Sequence, residues 1–533
     1  MVFDTLILGG TVIDGSGRPG FRADVGILDG KIAALGSLGG ARAKWTLDAA
    51  GQLVTPGFID IHRHADAALF RAGFGASELY QGLTTIINGN CGLSIAPSGG
   101  AFQSEIFDYL TPVTGRPEQF MKTETMASYL AALRERGLAL HVGMLAGGGT
   151  IRAQAAGLGT KHLQPEHYRA IHLALERALS DGALGVSLGL GYAPECFYQT
   201  DELIRALAPL AGSGVPVAVH MRQEGSGVEA ALSEMIEVAR ALKTHVQISH
   251  MKAIGRENWR AAVPRMLQML RRARDEGVDI ACDVYPYTAG STQLIHILPP
   301  QSQEGGLAAL SERLRKAAFR AELREKMLHG TDFENLSLLV GWENILVSSV
   351  TRAENRDCEG RSIREIADLR GQSPFDAAFD LLADEQCEVT MIDEITHEED
   401  IEAILRDEAS CVISDSTYPL TGLLHPRVYG TYARLFTRYV LARKTLSPEQ
   451  AVQKVSALPA KYMRLGTKGK IAPGMDADIN IFRLEELCET ARYDAPEQYA
   501  RGMQTVLVAG EAAIYQGRLT GQACGKVLES VKC

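Results

Sequence analysis

The chain has 533 residues, of which 46% are hydrophobic and 22% charged, as in a globular protein rather than a disordered or fibrous one. Its formal net charge of −10 argues against nucleic acid or an anionic membrane as a partner, since both attract basic surfaces. No apolar run approaches the roughly 18 residues of a membrane-spanning helix. The first residues lack the positive region of a signal peptide, and the nine cysteines have no paired spacing. These features predict a cytoplasmic protein with reduced thiols.

The first fifty residues contain short β-forming runs separated by the turn signals Gly9-Gly10, Asp14-Gly15 and Asp29-Gly30. Asp-Gly between β-rich runs is a strong hairpin signal. Similar β-rich runs return near the end of the chain, at 478–482 and 505–508. The two ends therefore predict one small β-sandwich domain, formed by residues 1–55 and 466–533.

Between residues 56 and 465, short apolar strands alternate with helical patterns. The predicted strands end near His62, Cys91, Leu145, Leu188, His220, His250, Tyr285 and Asp415. Eight strands that alternate with helices predict an α/β fold, a parallel (β/α)8 barrel of the TIM type. The interval before the last strand is far longer than one strand–helix unit. It predicts an insertion after strand 7, at about 295–410, with a surface helix at 311–326.

Several helix starts can be read from local signals. Segments 226–229 (Ser-Gly-Val-Glu) and 396–399 (Thr-His-Glu-Glu) have capping-box spacing, in which the first and fourth residues cap the same helix end. Ser447-Pro448 places proline just inside a helix start, where its missing N–H costs nothing.

In a parallel barrel the active site forms at the C-terminal ends of the strands. Six residues with metal-binding side chains fall at those ends: His62, His64, Cys91, His220, His250 and Asp415. Imidazole, thiolate and carboxylate are the ligands of zinc. Each residue alone could be structural: a buried histidine, a buried thiol or, for Asp415, a helix N-cap. The presence of all six at strand ends favours a metal site.

Several motifs resemble those of the D-aminoacylase (N-acyl-D-amino-acid deacylase) family of the amidohydrolase superfamily. PGFIDIHRH at 56–64 resembles the first-strand motif of the superfamily, and GKIAPGMDAD at 469–478 its segment returning to the small domain. The narrower matches are GNCG at 89–92, GLGYAP at 189–194, HMRQEG at 220–225, QISHMK at 247–252, DVYPYTAGST at 283–292 and HPR at 425–427. The resemblance extends from residue 4 to about 515.

This resemblance implies a zinc-dependent enzyme that hydrolyses N-acyl-D-amino acids to a carboxylate and a free D-amino acid; the preference for D substrates comes from the resemblance alone. Many binuclear amidohydrolases bridge their metals with a carboxylated lysine on strand four. Residues 183–190 contain no lysine, and the Cys91 thiolate can take its place. The resemblance implies one tight zinc site at Cys91, His220 and His250 and a second, weaker site at His62 and His64.

Asp415 is the predicted catalytic base. One carboxylate can accept the proton of the attacking water and then return it to the leaving amine. A substrate carboxylate requires an arginine fork, an ammonium and hydroxyl donors. The family positions that hold this carboxylate correspond to Tyr192, Lys252, Tyr287, Ser291 and Arg427. For Arg427 and Lys252, a solvated surface charge is the structural alternative.

The stretch after the Tyr-Pro-Tyr motif bears on the substrate side chain. Family members that act on acidic substrates carry an arginine there, whereas residues 293–300 contain no Arg or Lys and only His296 as a candidate cation. An unpaired buried charge is very costly. The pocket is therefore predicted to favour neutral side chains such as those of D-Leu, D-Met and D-Phe.

The chain departs from the family pattern at three places. It has Gly147-Gly148-Gly149-Thr150 where Gly-His-Gly-Thr is frequent, Ser416 where Gly is common, and Ala65-Asp66 where a paired acid is usual.

Two other functions stay open. A hydantoinase-like or dihydroorotase-like hydrolase of cyclic amides would be expected to carry the strand-four lysine, and a non-catalytic amidohydrolase-like assembly protein would be expected to have lost its ligands.

Overall fold

The computed structural model describes residues 2–330 and 333–530. The strands in these ranges are β1 (Val2–Val12), β2 (Phe21–Leu28), β3 (Lys31–Gly36), β4 (Arg42–Asp48), β5 (Leu53–Pro56), β6 (Phe58–Asp60), β7 (Leu83–Asn88), β8 (His141–Gly147), β9 (Gly185–Gly189), β10 (Val217–His220), β11 (Val246–Ile248), β12 (Ile280–Val284), β13 (Ala289–Gln293), β14 (Ile345–Ser349), β15 (Thr390–Glu394), β16 (Ser410–Val412), β17 (Ile479–Phe482), β18 (Met503–Val508), β19 (Glu511–Tyr515) and β20 (Arg518–Leu519). The α-helices are α1 (Ala76–Tyr80), α2 (Gln103–Thr114), α3 (Met126–Arg136), α4 (Gly148–Ala156), α5 (Pro165–Ser180), α6 (Thr200–Ala206), α7 (Val228–Leu242), α8 (Ala262–Asp275), α9 (Gly306–Leu314), α10 (Ala317–His329), α11 (Leu336–Leu339), α12 (Ile363–Arg370), α13 (Pro374–Asp384), α14 (Glu398–Arg406), α15 (Arg427–Arg434), α16 (Pro448–Val455) and α17 (Ala457–Tyr462). No helix within these ranges combines the length and the apolar character needed to cross a membrane.

Eight parallel strands form a barrel in the order β6-β7-β8-β9-β10-β11-β12-β16. Beyond the strand ends, the Asp415 amide donates to the His62 carbonyl at 3.0 Å and the His64 amide donates to the Ser416 carbonyl at 2.9 Å, which brings β16 beside β6. The strands are buried along their whole length, because helices cover their outer faces. The predicted (β/α)8 barrel is confirmed, and each strand ends within three residues of its predicted end.

Helix α16 begins as the sequence predicts. Ser447 Oγ accepts a hydrogen bond from the Gln450 amide at 3.2 Å, and the Gln450 side chain accepts one from the Ser447 amide at 2.8 Å. The two predicted capping boxes, at 226–229 and 396–399, are each wrong by one residue. Helix α7 has Gly227 as its N-cap, and α14 has His397, whose Nδ1 accepts from the Glu399 amide at 3.2 Å. An imidazole nitrogen here provides the acceptor expected from a hydroxyl.

The connection between β12 and β16 contains the insertion. Its strands form a three-stranded antiparallel sheet in the order β13-β15-β14, accompanied by helices α9–α13. The predicted start near 295 falls after β13, which pairs with β15. The single helix predicted at 311–326 is wrong, because Lys316 has an extended backbone (φ −97°, ψ 121°) that separates α9 from α10.

Strands from both chain ends form one nine-stranded sheet in the order β20-β19-β18-β17-β5-β1-β2-β3, with β4 paired to β1. The strands of this sheet enclose a separate apolar core that includes Val25, Ile27, Ile479 and Leu507. The small β domain built from both ends is thus confirmed. The exact boundaries, 1–55 with 466–533 and 56–465 for the barrel, stay predictions.

The turn signals of this domain behave differently from one another. Asp29-Gly30 forms the predicted hairpin between β2 and β3, with φ of +50° and +71°. Asp14-Gly15 lies in the longer connection between β1 and β2, which also pair. Gly9-Gly10 is not a turn: β1 continues through it with a bulge, since Gly9 supplies a φ of +71°.

Asp478, just before β17, joins the small domain to the barrel. Its carboxylate lies 3.0 Å from His141 Nε2 on β8 and 2.6 Å from Lys468 Nζ, and accepts from the Ala509 amide at 2.8 Å. Burial alone would raise the pKa of Asp478, but His141 and Lys468 hold it well below its ordinary value. The interface therefore depends on an ionised carboxylate.

Candidate metal centre and active site

The ends of five barrel strands bring the six predicted metal ligands together. The residues that follow or end these strands are His62 and His64 (β6), Cys91 (β7), His220 (β10), His250 (β11) and Asp415 (β16). All six are buried, and the most exposed, Asp415, is 9% exposed. Their ligand atoms form overlapping groups of three within 4.8 Å of one another: His62-Cys91-His250, His62-His64-Asp415 and, with an added acid, His220-Glu224-His250.

A thiol and three imidazoles lie at the centre of this cluster. Cys91 Sγ is 3.2 Å from His62 Nε2 and 3.5 Å from His250 Nε2, and His220 Nδ1 is 3.0 Å from His250 Nε2. Burial lowers the pKa of His220 and His250 well below the ordinary value, so both are neutral and have a lone pair to offer a metal. Burial raises the pKa of the Cys91 thiol well above its ordinary value, so a stable thiolate requires a bound cation.

Asp415 lies between the histidine pair and a buried arginine. Its Oδ1 is 3.3 Å from both His62 Nε2 and His64 Nε2, and its Oδ2 accepts from Arg427 Nη1 at 2.9 Å. Burial alone would raise the pKa of Asp415, but the Arg427 guanidinium and the two histidines hold it well below its ordinary value. The carboxylate is therefore ionised at neutral pH and able to accept a proton.

Three of these residues have a left-handed backbone, with φ of +54° at Cys91, +37° at His250 and +52° at Asp415. This conformation costs on the order of 1 kcal/mol or more for a residue with a side chain, and it is concentrated at functional sites.

The turn after β7 leaves no room for a side chain at the end of β9, the fourth strand of the barrel. A Cβ at Gly189 on β9 would lie 2.1 Å from the Cys91 carbonyl oxygen, which only glycine avoids.

Glu224 is a site residue that the sequence analysis did not predict. Its Oε1 accepts from Lys252 Nζ at 2.7 Å and lies 3.0 Å from His250 Nδ1, while its Oε2 lies 3.9 Å from His220 Nε2. A carboxylate that accepts from the outer nitrogen of a metal-binding histidine fixes its tautomer and orientation. The available signal was its position four residues after His220, in the HMRQEG motif.

A cavity of about 180 Å³ opens onto the cluster. The insertion contributes both apolar and acidic residues to its wall: Leu298, Phe333, Leu336, Ile395, Glu334 and Asp393. Glu334 Oε2 accepts from the backbone amides of Glu224 and Gly225, the latter at 2.9 Å, and so ties the insertion to the loop after β10. The insertion is thus part of the active-site wall.

Three of the predicted substrate residues, Tyr192, Lys252 and Ser291, line this cavity. The Tyr192 hydroxyl lies 3.3 Å from His220 Nδ1. Arg427 is fully buried behind Asp415, and its Nη2 donates to the Ser291 carbonyl at 3.1 Å. The Arg427 guanidinium therefore binds Asp415, the predicted base, and the backbone of β13.

Tyr287 is not brought into the described wall of the cavity, which corrects its predicted placement. Its hydroxyl donates to Glu489 Oε1 at 2.9 Å, and its ring lies 4.5 Å from the Arg434 guanidinium. Tyr285 lines the cavity instead, with its ring 5.0 Å from the Arg427 guanidinium. Strand β12 ends at residue 284, so the alternation of a strand does not determine which tyrosine faces inward.

Two departures from the family pattern have structural reasons. A Cβ at Gly148 would lie 2.5 Å from Glu195 Oε1, and Glu195 Oε2 accepts from the Gly189 amide at 2.6 Å. The buried Glu195 carboxylate thus occupies the space that a histidine at 148 would need. The buried carboxylate of Asp66 accepts from the Ile95 amide at 3.2 Å and orders the loop after β7.

A model of the amidohydrolase family matches residues 46–514. The chain belongs to that family. A D-aminoacylase from Alcaligenes xylosoxydans xylosoxydans is 32% identical and aligns over 99% of this chain and 97% of its own length. An N-acyl-D-glutamate deacylase from the same organism is 31% identical over 96% of this chain and 94% of its own.

Solved structures agree with these relatives. The N-acyl-D-glutamate deacylase from Bordetella bronchiseptica, complexed with zinc and a phosphonate mimic of the tetrahedral intermediate, has a TM-score of 0.82. It is 29% identical, and the match covers 99% of this chain and 100% of that one. An L-hydantoinase from Arthrobacter aurescens, 15% identical with a TM-score of 0.56, shares the fold alone. The D-aminoacylase resemblance predicted from the motifs is confirmed.

Proposed function

We propose that the protein is a zinc-dependent deacylase of N-acyl-D-amino acids. The observation that carries this proposal is a buried cluster in which His250 contacts both Cys91 and His220, in a chain similar to a D-aminoacylase over its full length. A hydrolase of cyclic amides is disfavoured because β9 has no lysine and the hydantoinase likeness is one of fold alone. An assembly protein that has lost its ligands is disfavoured because all six ligand residues are present and lie together.

The donor set fits zinc, which prefers thiolate and imidazole ligands. Cys91, His220 and His250 hold a tightly bound ion, and His62 and His64 hold a second, weaker one. The Cys91 sulfur lies 3.2 Å from His62 Nε2 and 3.5 Å from His250 Nε2, so the thiolate would be available to either group of histidines. A zinc ion held by these residues would supply a Lewis acid for the amide carbonyl and a lower pKa for water, toward ~7.

Asp415 is the proposed proton shuttle of the reaction. Arg427 occupies its Oδ2, which leaves Oδ1 directed toward His62 and His64. From there the carboxylate accepts the proton of the attacking water and returns it to the leaving nitrogen. Tyr192, Lys252 and Ser291 line the cavity and would hold the substrate carboxylate.

The charge of the cavity wall disfavours acidic substrate side chains. Arg222 lines the cavity, but its guanidinium is paired with Glu234 through contacts of 3.0 and 2.8 Å. Burial lowers the pKa of His296 to about 3, so this imidazole is neutral. The insertion contributes the acids Glu334 and Asp393 to the wall, and burial raises the pKa of both to about 7. A second substrate carboxylate would find no unpaired cation among the described lining residues.

Hydrolysis of three substrates by one zinc-loaded preparation tests this function. We expect turnover of N-acetyl-D-leucine, with N-acetyl-L-leucine and N-acetyl-D-glutamate each lower in kcat/KM by about tenfold or more, since unpaired buried charge is costly. Hydrolysis of dihydrouracil or hydantoin without hydrolysis of N-acetyl-D-leucine would favour the cyclic-amide alternative. A preference for N-acetyl-D-glutamate would contradict a pocket that offers no unpaired cation.

We also propose a cytoplasmic location and a small molecule as the partner of the active site. The eight cysteines within the described residues are all free thiols, the state expected in a reducing compartment. The net charge of −10 supports the absence of a nucleic-acid partner.

A further inference from the structure

Asp393 is a buried acid in the cavity wall that has no side-chain partner among the residues the structure describes. It lies on β15 opposite Gly290 of β13, and the missing side chain of Gly290 leaves its carboxylate facing the cavity. The residue is 3% exposed and lines the cavity. Within residues 2–330 and 333–530, no side chain donates a hydrogen bond to this carboxylate. The group is therefore open to a partner that enters the cavity.

The cations whose charge reaches Asp393 are already paired with other acids. Lys252 Nζ contacts Glu224 at 2.7 Å, and Arg427 Nη1 contacts Asp415 at 2.9 Å. Burial raises the pKa of Asp393 to about 7, although Lys252 and Arg427 act in the opposite direction. The effect of burial therefore outweighs the attraction of Lys252 and Arg427. The ionised carboxylate is not fully stabilised within the cavity, where an unpaired charge is costly.

A ligand that brings a positive group into the cavity would supply the missing partner. The same wall carries Leu298, Leu336 and Ile395, apolar residues against which the aliphatic stem of a lysine or arginine side chain can pack. Glu334 adds a second acid to this wall, and burial raises its pKa to about 7. A carboxylate side chain, in contrast, would find no opposite charge in either acid.

We propose that Asp393 is a specificity residue that binds the ammonium or guanidinium group of a D-amino-acid side chain. The proposal rests on the deacylase function above and names the substrates that it favours: N-acyl-D-arginine and N-acyl-D-lysine over neutral side chains of the same shape. Asp393 acts through charge pairing with the side chain, at a distance from the amide that is hydrolysed.

The test compares N-acetyl-D-arginine with N-acetyl-D-citrulline, whose side chains have nearly the same shape and differ in charge. For the zinc-loaded wild-type protein we expect kcat/KM to favour arginine by about tenfold or more, the lower range for a desolvated charge pair. In Asp393→Asn the ratio should fall to about one. Glu394→Gln is the matched control, because it removes the same charge from the neighbouring, exposed position of β15 and should retain the wild-type ratio.

Each outcome decides the proposal. A wild-type ratio at or below one overturns it, as does an arginine preference that persists in folded Asp393→Asn; Asp393→Ser replaces that variant if asparagine prevents folding. Hydrolysis of N-acetyl-D-leucine without an arginine preference overturns this inference and leaves the deacylase function intact. If none of the N-acetyl-D-amino acids is hydrolysed, the deacylase function and this inference both fail.

Discussion

Replacing Glu224 with glutamine tests whether the carboxylate behind the cluster sets the metal affinity. Glu224 lies 3.0 Å from His250 Nδ1 and accepts from Lys252 Nζ at 2.7 Å. Glutamine retains the size and one acceptor oxygen but loses the charge that orients the imidazole and neutralises the ammonium. Partners of this kind contribute about 10- to 100-fold to metal affinity or activity. We expect the zinc dissociation constant to rise by about tenfold and kcat/KM to fall by about 10- to 100-fold.

The same change leaves a buried cation without its partner. Lys252 is 5% exposed, and removing one member of a buried ion pair typically costs about 3–5 kcal/mol. Because glutamine still offers an acceptor to Lys252, we expect the free energy of unfolding to fall by about 3 kcal/mol, the lower end of that range.

Three measurements on one preparation resolve these effects: zinc competition with a chromophoric chelator, kinetics with N-acetyl-D-leucine and denaturant unfolding. Glu234→Gln is the control, because Glu234 pairs with Arg222 at 2.8 Å on the same side of the cavity and is absent from the candidate metal groups of the described residues. An unchanged zinc dissociation constant in Glu224→Gln, or an equal rise in both variants, would refute the reasoning.

Three further changes test other parts of the molecule. Asp415→Asn retains its size but cannot accept a proton, so turnover should fall by about 100-fold or more while elemental analysis shows zinc retained; wild-type turnover would make Asp415 structural. Cys91→Ala should lose most zinc and activity while circular dichroism shows a folded barrel, and undiminished zinc would exclude the thiol as a ligand. Asp478→Asn should lower the free energy of unfolding by about 3 kcal/mol at neutral pH. The folded pKa of Asp478 is held down by His141 and Lys468 against the effect of burial, so its stabilisation is present above the unfolded pKa of about 3.9 and is lost as pH falls through the folded value. An equally large destabilisation near pH ~2 would contradict this assignment.

The sequence by itself determined the barrel and the candidate metal ligands at its strand ends. A parallel strand covered on both faces is a continuous apolar run, and its end is visible as an abrupt change to polar residues such as His62 and Asp415. Active sites of such barrels lie at those ends, so a strand prediction is also a prediction of the site. Motifs such as GNCG around Cys91 then distinguished this family from its relatives with a strand-four lysine.

Only the tertiary structure decided which side chains surround the cluster. Tyr285 and Tyr287 share one motif, yet they point to different environments because the chain leaves the strand at residue 284. Glu224 gained its role through contact with His250 on the next strand, and Asp393 reaches the cavity through the pairing of β15 with β13. Loops and insertions have no periodicity that reveals their inner face. Contacts between residues far apart in the chain therefore become visible only when the fold places them side by side.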